Sequence, residues 1–144
     1  MVPPTDAERG TLVFETSLPR PEEVAALYEA VGWYVLPIRA YRTALAGTLL
    51  AVSVRSGGRL IGFGRVVSDG AIYGWIHDLI VIPERQGEGV GRAILRELLD
   101  RVKALDIAYI GLFAAKGREG FYEKFGFERR PHDAPGMLLR LAPE

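Results

Sequence analysis

Asp78-Leu79-Ile80-Val81-Ile82-Pro83-Glu84-Arg85-Gln86-Gly87-Glu88-Gly89-Val90-Gly91-Arg92-Ala93-Ile94-Leu95 is an apolar run, a glycine-rich turn and the start of a helical pattern. The first turn of a helix presents N–H groups with no partner inside the helix, and the macrodipole adds partial positive charge there. Glycines at 87, 89 and 91 keep Cβ atoms out of the path of an approaching anion. The turn is therefore expected to hold the phosphates of a cofactor. Two common phosphate loops do not fit it. A P-loop carries Gly-Lys-Ser/Thr, whereas Gly91 is followed by Arg92-Ala93. The dinucleotide fingerprint G-x-G-x-x-G needs its third glycine one place beyond Gly91.

Outward from this turn, hydrophobic periodicity and turn residues set the remaining elements. A first short strand is expected at 13–18, and a helix over 21–32 with Pro21 at its start, Glu22 and Glu23 in its first turn and Gly32 at its end. Residues 33–42, which contain Pro37, read as an irregular connection, followed by a short helix at 43–49. Strands at 50–55 and 59–67 meet at Ser56-Gly57-Gly58, and a third strand covers 72–82. The helix after the glycine turn runs to about Lys103, then a strand at 107–113 and a helix at 118–125. The tail 127–141 is expected to add edge strands, interrupted by Pro131 and Pro135. This order predicts a single α/β (α+β) domain over 1–144, with a mixed, mostly antiparallel sheet and helices on both faces.

Gln86-x-x-Gly89-x-Gly91, preceded by Leu79-x-Val81-x-Pro83, resembles the acetyl-CoA pyrophosphate loop of the GNAT superfamily of N-acetyltransferases. Gly120-Phe121-Tyr122-Glu123-Lys124-Phe125-Gly126-Phe127, after Phe113-Ala114-Ala115, resembles that family's second signature, and Leu60 to Asp69 its central hairpin strand. The resemblance covers about residues 10–141. It implies a GNAT fold in which two parallel strands splay apart around the pantetheine arm of acetyl-CoA. By the same resemblance, the main chain of Leu79 and Val81 pairs with the pantetheine, and the N–H of Ile80 or Val81 points at the thioester carbonyl. Gln86, Gly87, Glu88, Gly89, Val90, Gly91 and Arg92 surround the pyrophosphate, and Tyr122, beside the cofactor sulfur, is the candidate general acid. A phenol is protonated at neutral pH and can donate to a departing thiolate.

The candidate base is His77, Asp78 or an ordered water. His77 stands two residues before Leu79, so alternation places it on the same strand face, and its titration range suits accepting a proton near neutrality. Asp78 points to the other face unless a bulge re-aims it. Animal aralkylamine N-acetyltransferases carry histidines at positions matching 75 and 77, and position 75 here is Trp75; plant serotonin N-acetyltransferases carry an aspartate at the position matching 78. Within the superfamily, Leu27-Tyr28-x-x-Val31-Gly32-Trp33, Arg65-x-x-Ser68-Asp69 and Gly136-Met137 resemble the bacterial group that is similar to the plant enzymes. That likeness implies a small primary amine acceptor, an arylalkylamine, with Trp33, Tyr34, Tyr41 and Tyr73 as candidates for an aromatic pocket. A protein or peptide acceptor, and a catalytically silent acyl-CoA-binding sensory domain, stand as alternatives.

Composition narrows the classes further. Lys plus Arg and Asp plus Glu are both 18, and the zero net charge argues against a nucleic-acid partner. There is no cysteine, so disulfides, thiolate metal sites and a cysteine acyl intermediate are excluded, and direct attack by the acceptor amine is favoured. With two histidines in the chain no metal site is expected. No run of 18 apolar residues spans a membrane, and Met1 to Asp6 lacks a basic and apolar leader, which predicts a cytoplasmic protein. The apolar run Met137-Leu138-Leu139-Arg140-Leu141 offers an edge for a homodimer.

Overall fold

Five strands lie in the sheet in the order in which they occur in the chain, β1-β2-β3-β4-β5. They are β1 (Leu12–Glu15), β2 (Leu50–Ser56), β3 (Arg59–Ser68), β4 (Tyr73–Val81) and β5 (Tyr109–Gly111). Four helices accompany them: α1 (Pro21–Ala30), α2 (Ile38–Ala46), α3 (Val90–Ala104) and α4 (Glu119–Glu123). This computed structural model describes residues 10–143; the leader reading at Met1 to Asp6 lies outside the described residues. Among the described residues, no helix is long and apolar enough to cross a membrane.

The first four strands pair antiparallel, and β4 pairs with β5 in parallel after the crossover through α3. Gly57 and Gly58 (φ +58° and +80°) make the two-residue turn that sets Ser56 opposite Arg59. Asp69 Oδ1 accepts from the N–H groups of Ala71, Ile72 and Tyr73, which fixes the β3–β4 connection. On one face of the sheet, Gly62 and Gly64 leave room for α3. A Cβ at 64 would stand 2.8 Å from Ile94 Cγ2 and 2.9 Å from Leu98 Cδ1. The other face is covered by α1 and α2, which bury Val24, Leu27, Tyr41 and Leu45.

Several boundaries differ from the sequence expectation. α2 starts at Ile38, five residues earlier than expected, because Pro37 serves as its N-cap, where a fixed φ and a missing N–H cost nothing. β1 ends at Glu15, and the segment after it is held by the Ser53 hydroxyl donating to Ser17 C=O. β5 is only three residues long: Ala108 N–H donates to Ala71 C=O ahead of the strand, and pairing begins with Tyr109 N–H donating to Ile72 C=O. The edge strands expected over 127–141 are absent from the described residues. Pro131 and Pro135 interrupt the run, and Met137, Leu138, Leu139 and Leu141 are 70–88% exposed.

Candidate active site

Pairing between β4 and β5 stops at Trp75 and Gly111, yet β4 continues for six more residues to Val81. The strands part there, and a cavity of about 1020 Å³ reaches from this gap to the free side of β5. His77, Tyr122, Trp75 and Phe113 are among its lining residues. Of the two sequence candidates for proton transfer with side chains in the cavity, His77 comes from β4 and Tyr122 from α4.

A β-bulge separates His77 from Leu79. Phe63 pairs with Ile80 and Arg65 with His77, so Gly64 faces two residues, Asp78 and Leu79. Asp78 takes the extra conformation, at φ +55°. The expected shared face of His77 and Leu79 is therefore overturned. Leu79 Cδ1 lies beside Gly64 on the α3 side, whereas His77 shares the α1–α2 side with its partner Arg65. The bulge does re-aim Asp78, and it points toward α1. Tyr28 donates its hydroxyl to Asp78 Oδ1 at 2.5 Å, and Arg65 Nε donates to Oδ2 at 2.6 Å. Arg65 also reaches Ala44 C=O at the end of α2 and the Thr48 hydroxyl. Both carboxylate oxygens of Asp78 are thus engaged in a nearly buried clamp joining α1, α2, β3 and β4.

Electrostatics separate the two cavity candidates. Burial, together with the Arg65 charge, holds His77 below the usual imidazole value, against the opposing pull of Asp78. Its neutral, proton-accepting form is favoured near neutrality. Burial pushes the Tyr122 phenol up, with Arg118 acting the other way, so it keeps its proton. One group is set to accept a proton and the other to give one.

Beyond β4, the 3-10 turn Pro83–Arg85 leads into the glycine loop. Gly87 and Gly89 sit at φ +80° and +83°, with no atom within 4 Å of where their Cβ atoms would be. Gly89 caps α3, and the first helical bond recorded is Ala93 N–H to Gly89 C=O, so the amides of Val90, Gly91 and Arg92 precede the helical ladder. Arg85 pairs with Glu88 and reaches Ser56. Gln86 does not point outward: its Nε2 donates to Val81 C=O at 2.9 Å and folds the loop back onto β4. Arg92 is exposed on the first turn of α3. Ile82 N–H donates to Ile61 C=O, so by alternation the Val81 amide points away from β3 and into the gap, and that of Ile80 toward β3.

An open anion cradle at a helix start, at the end of a strand that parts from its parallel neighbour, is the pairing seen in a known family. The family model described as "Acetyltransferase (GNAT) domain" matches residues 47–129. The chain is a GNAT acetyltransferase. Among curated proteins, it is 32% identical over 120 residues to the uncharacterized N-acetyltransferase ycf52 of Porphyra purpurea, spanning 81% of this chain and 69% of that protein. It is 34% identical over 84 residues to the chloroplastic serotonin N-acetyltransferase 2 of rice, spanning 58% and 42%. A crystal structure from meticillin-resistant Staphylococcus aureus superposes with a TM-score of 0.84 at 28% identity, covering 90% of this chain and 99% of that one. A Brucella melitensis GNAT protein solved with acetyl-CoA shares the fold, with a TM-score of 0.64 at 20% identity over 82% and 83% of the two chains.

This GNAT acetyltransferase takes acetyl-CoA as its acyl donor. The loop suits that molecule: its glycines leave the space beside the helical amides open, and the gap in the sheet begins on the same strand. Tyr28, Arg65, Trp75 and Phe113 were not among the candidates from sequence. A signal existed for one of them, since Arg65 interrupts an apolar strand and a buried cation calls for a buried acid. Of the four aromatic residues expected in an acceptor pocket, Trp33 and Tyr41 both pack edge-to-face on Tyr28. Tyr41 is buried in the core, with its ring 5.0 Å from Tyr28 and its hydroxyl accepting from Leu36 N–H, while Tyr73 stacks on Tyr109.

Proposed function

We propose that this acetyltransferase moves an acetyl group directly to the primary amine of a small molecule, an arylalkylamine. The observation that carries the reading is the single cavity holding His77 in its neutral form and Tyr122 in its protonated form beside the parted strands. When bound, acetyl-CoA supplies an activated acyl thioester. The amides of residues 87–92 and the start of α3 hold its pyrophosphate, and the Val81 main chain meets its pantetheine arm. The same Val81 N–H stabilises negative charge building on the acyl oxygen. His77 takes a proton from the acceptor ammonium, directly or through a water, and Tyr122 gives a proton to the leaving sulfur. Asp78 positions β4 through its clamp instead of carrying protons, because both of its oxygens already accept hydrogen bonds. With no cysteine in the chain, attack by the amine needs no acyl-enzyme stage. The similarity to a rice serotonin N-acetyltransferase supports the acceptor class. The exposed apolar run 137–141 supports a homodimer, which sedimentation velocity reads directly.

The test is calorimetric binding of acetyl-CoA, followed by free-thiol release across a panel of amines including tryptamine and serotonin. Micromolar binding with release toward an arylalkylamine is the expected result. Binding without turnover of any small amine refutes the acceptor assignment and moves the reading to peptide acceptors or a silent acyl-CoA-binding domain. Tyr122→Phe is expected to lower kcat by about a hundredfold or more while changing acetyl-CoA affinity less than twofold, in line with the usual contribution of a general acid.

A further inference from the structure

Two glycines near the cavity have no backbone reason to be glycine. Neither Gly111 nor Gly136 has a positive φ, yet a Cβ at 111 would strike an aromatic ring and one at 136 would crowd another. At 111 it would lie 2.9 to 3.2 Å from Cζ3, Cη2 and Cε3 of Trp75, so the benzo ring of the indole rests flat on the Gly111 backbone. At 136 it would lie 3.1 Å from Cε1 of Phe113. The two rings meet with centroids 5.5 Å apart, tilted by 31°. Both remain unusually open for their size, Trp75 at 41% and Phe113 at 54% exposure. Two positions are kept bare where these two rings lie against one another, and all four residues line the cavity.

We infer that Trp75 and Phe113 form the platform that recognises the aromatic ring of the acceptor and thereby set the enzyme's preference for arylalkylamines over aliphatic amines. The inference rests on the acceptor class proposed above and names the residues that read it. Trp75 lies two residues before His77 on the same face of β4, ahead of the bulge, which separates them by about 6.6 Å along the strand. A ring stacked on Trp75 with a two- to three-carbon linker therefore brings its nitrogen to the imidazole. A flat apolar ring gains most from such a surface through offset or edge-to-face contact. Aliphatic amines of the same length reach His77 without that gain.

The experiment compares kcat/KM for 2-phenylethylamine and n-hexylamine by thiol release in the unsubstituted chain, its Trp75→Leu variant and its Trp75→Phe variant. Trp75→Leu is expected to lower the aromatic-to-aliphatic ratio about tenfold and Trp75→Phe to retain most of it, with acetyl-CoA affinity unchanged in both. Phe113→Leu gives a second, independent loss if the Trp75 variants fold poorly by circular dichroism. A direct readout needs no turnover. The chain has two tryptophans, so Trp33→Phe leaves Trp75 alone, and its fluorescence should shift on titration with 2-phenylethylamine and stay still with n-hexylamine. An unchanged ratio in Trp75→Leu and Phe113→Leu, or silent fluorescence at saturating amine, overturns the platform. Absence of thiol release with every amine sinks the small-amine acceptor reading instead, and the fluorescence titration then decides the platform by itself.

Discussion

Replacing Tyr28 by phenylalanine removes one oxygen atom from the clamp beneath the acceptor side of the sheet. The ring itself is retained by edge-to-face contacts with Trp33 at 5.1 Å and Tyr41 at 5.0 Å, so the change isolates the hydrogen bond to Asp78 Oδ1. A hydrogen bond to a charged partner contributes about 1.5–3 kcal/mol, and here the carboxylate left behind is nearly buried. Arg65 still neutralises Asp78, which holds the loss near the middle of that range, about 2 kcal/mol. With a urea slope of about 2 kcal/mol per molar, the midpoint should fall by about 1 M. Asp78→Asn should cost more, about 3 kcal/mol, because it strands the Arg65 guanidinium in a site where its side chain is 13% exposed. The double variant should show a coupling of about 1 kcal/mol or more. The assay is urea denaturation of the four proteins, with acetyl-CoA calorimetry as a control that the phosphate loop is untouched. A Tyr28→Phe cost under about 0.5 kcal/mol, or plain additivity with Asp78→Asn, refutes the clamp as a stabilising unit.

Three further outcomes follow from other parts of the molecule. His77 is held below its usual pKa of 6.5, so its basic form is complete above that value and is lost as pH falls through the lowered folded pKa; the kcat/KM profile should have its acid limb below pH 6.5, and His77→Gln should abolish that limb. In stability the sign is the same: the unfolded chain binds the proton more readily, so acidification through this window costs folding free energy that a denaturation series at several pH values will read. Gly64→Ala drives a methyl into Ile94 and Leu98 and should destabilise the fold by about 1–3 kcal/mol in thermal or urea unfolding. Gly89→Ala forces a side chain to φ +83° at the cap of α3, a strain of about 1–2 kcal/mol, and acetyl-CoA calorimetry should show Kd rising about tenfold.

What the sequence made legible was local. The glycine turn, the two-glycine hairpin at 57–58 and the amphipathic α3 each carry their own signal within a few residues, and each stands where it was expected. Signals that act at a distance were harder to read. Tyr28 and Asp78 meet across 50 residues, and nothing near either one announces the other. The Trp75–Gly111 fit is likewise a match between strands joined only by a long crossover. Pro37 misled in the opposite sense, since a helix breaker in the interior is a good residue at a helix entrance. For the tail, apolar content alone suggested strands, but two prolines and the lack of a neighbour leave it without a ladder.

The extra residue at Asp78 acts on β4 as a frameshift acts on a reading frame. Before it, odd-numbered side chains face the α1–α2 side; after it, even-numbered ones do, and Leu79 and Val81 turn to α3. On the proposed reading, one strand thereby sends side-chain chemistry to the acceptor and main-chain contacts to acetyl-CoA. Deleting a single residue there would leave composition and length almost untouched, yet it would restore the frame and exchange the inside and outside of everything downstream. Insertions and deletions in this strand should therefore be far less tolerated than substitutions, and variants of this enzyme that differ in length should differ in their loops instead.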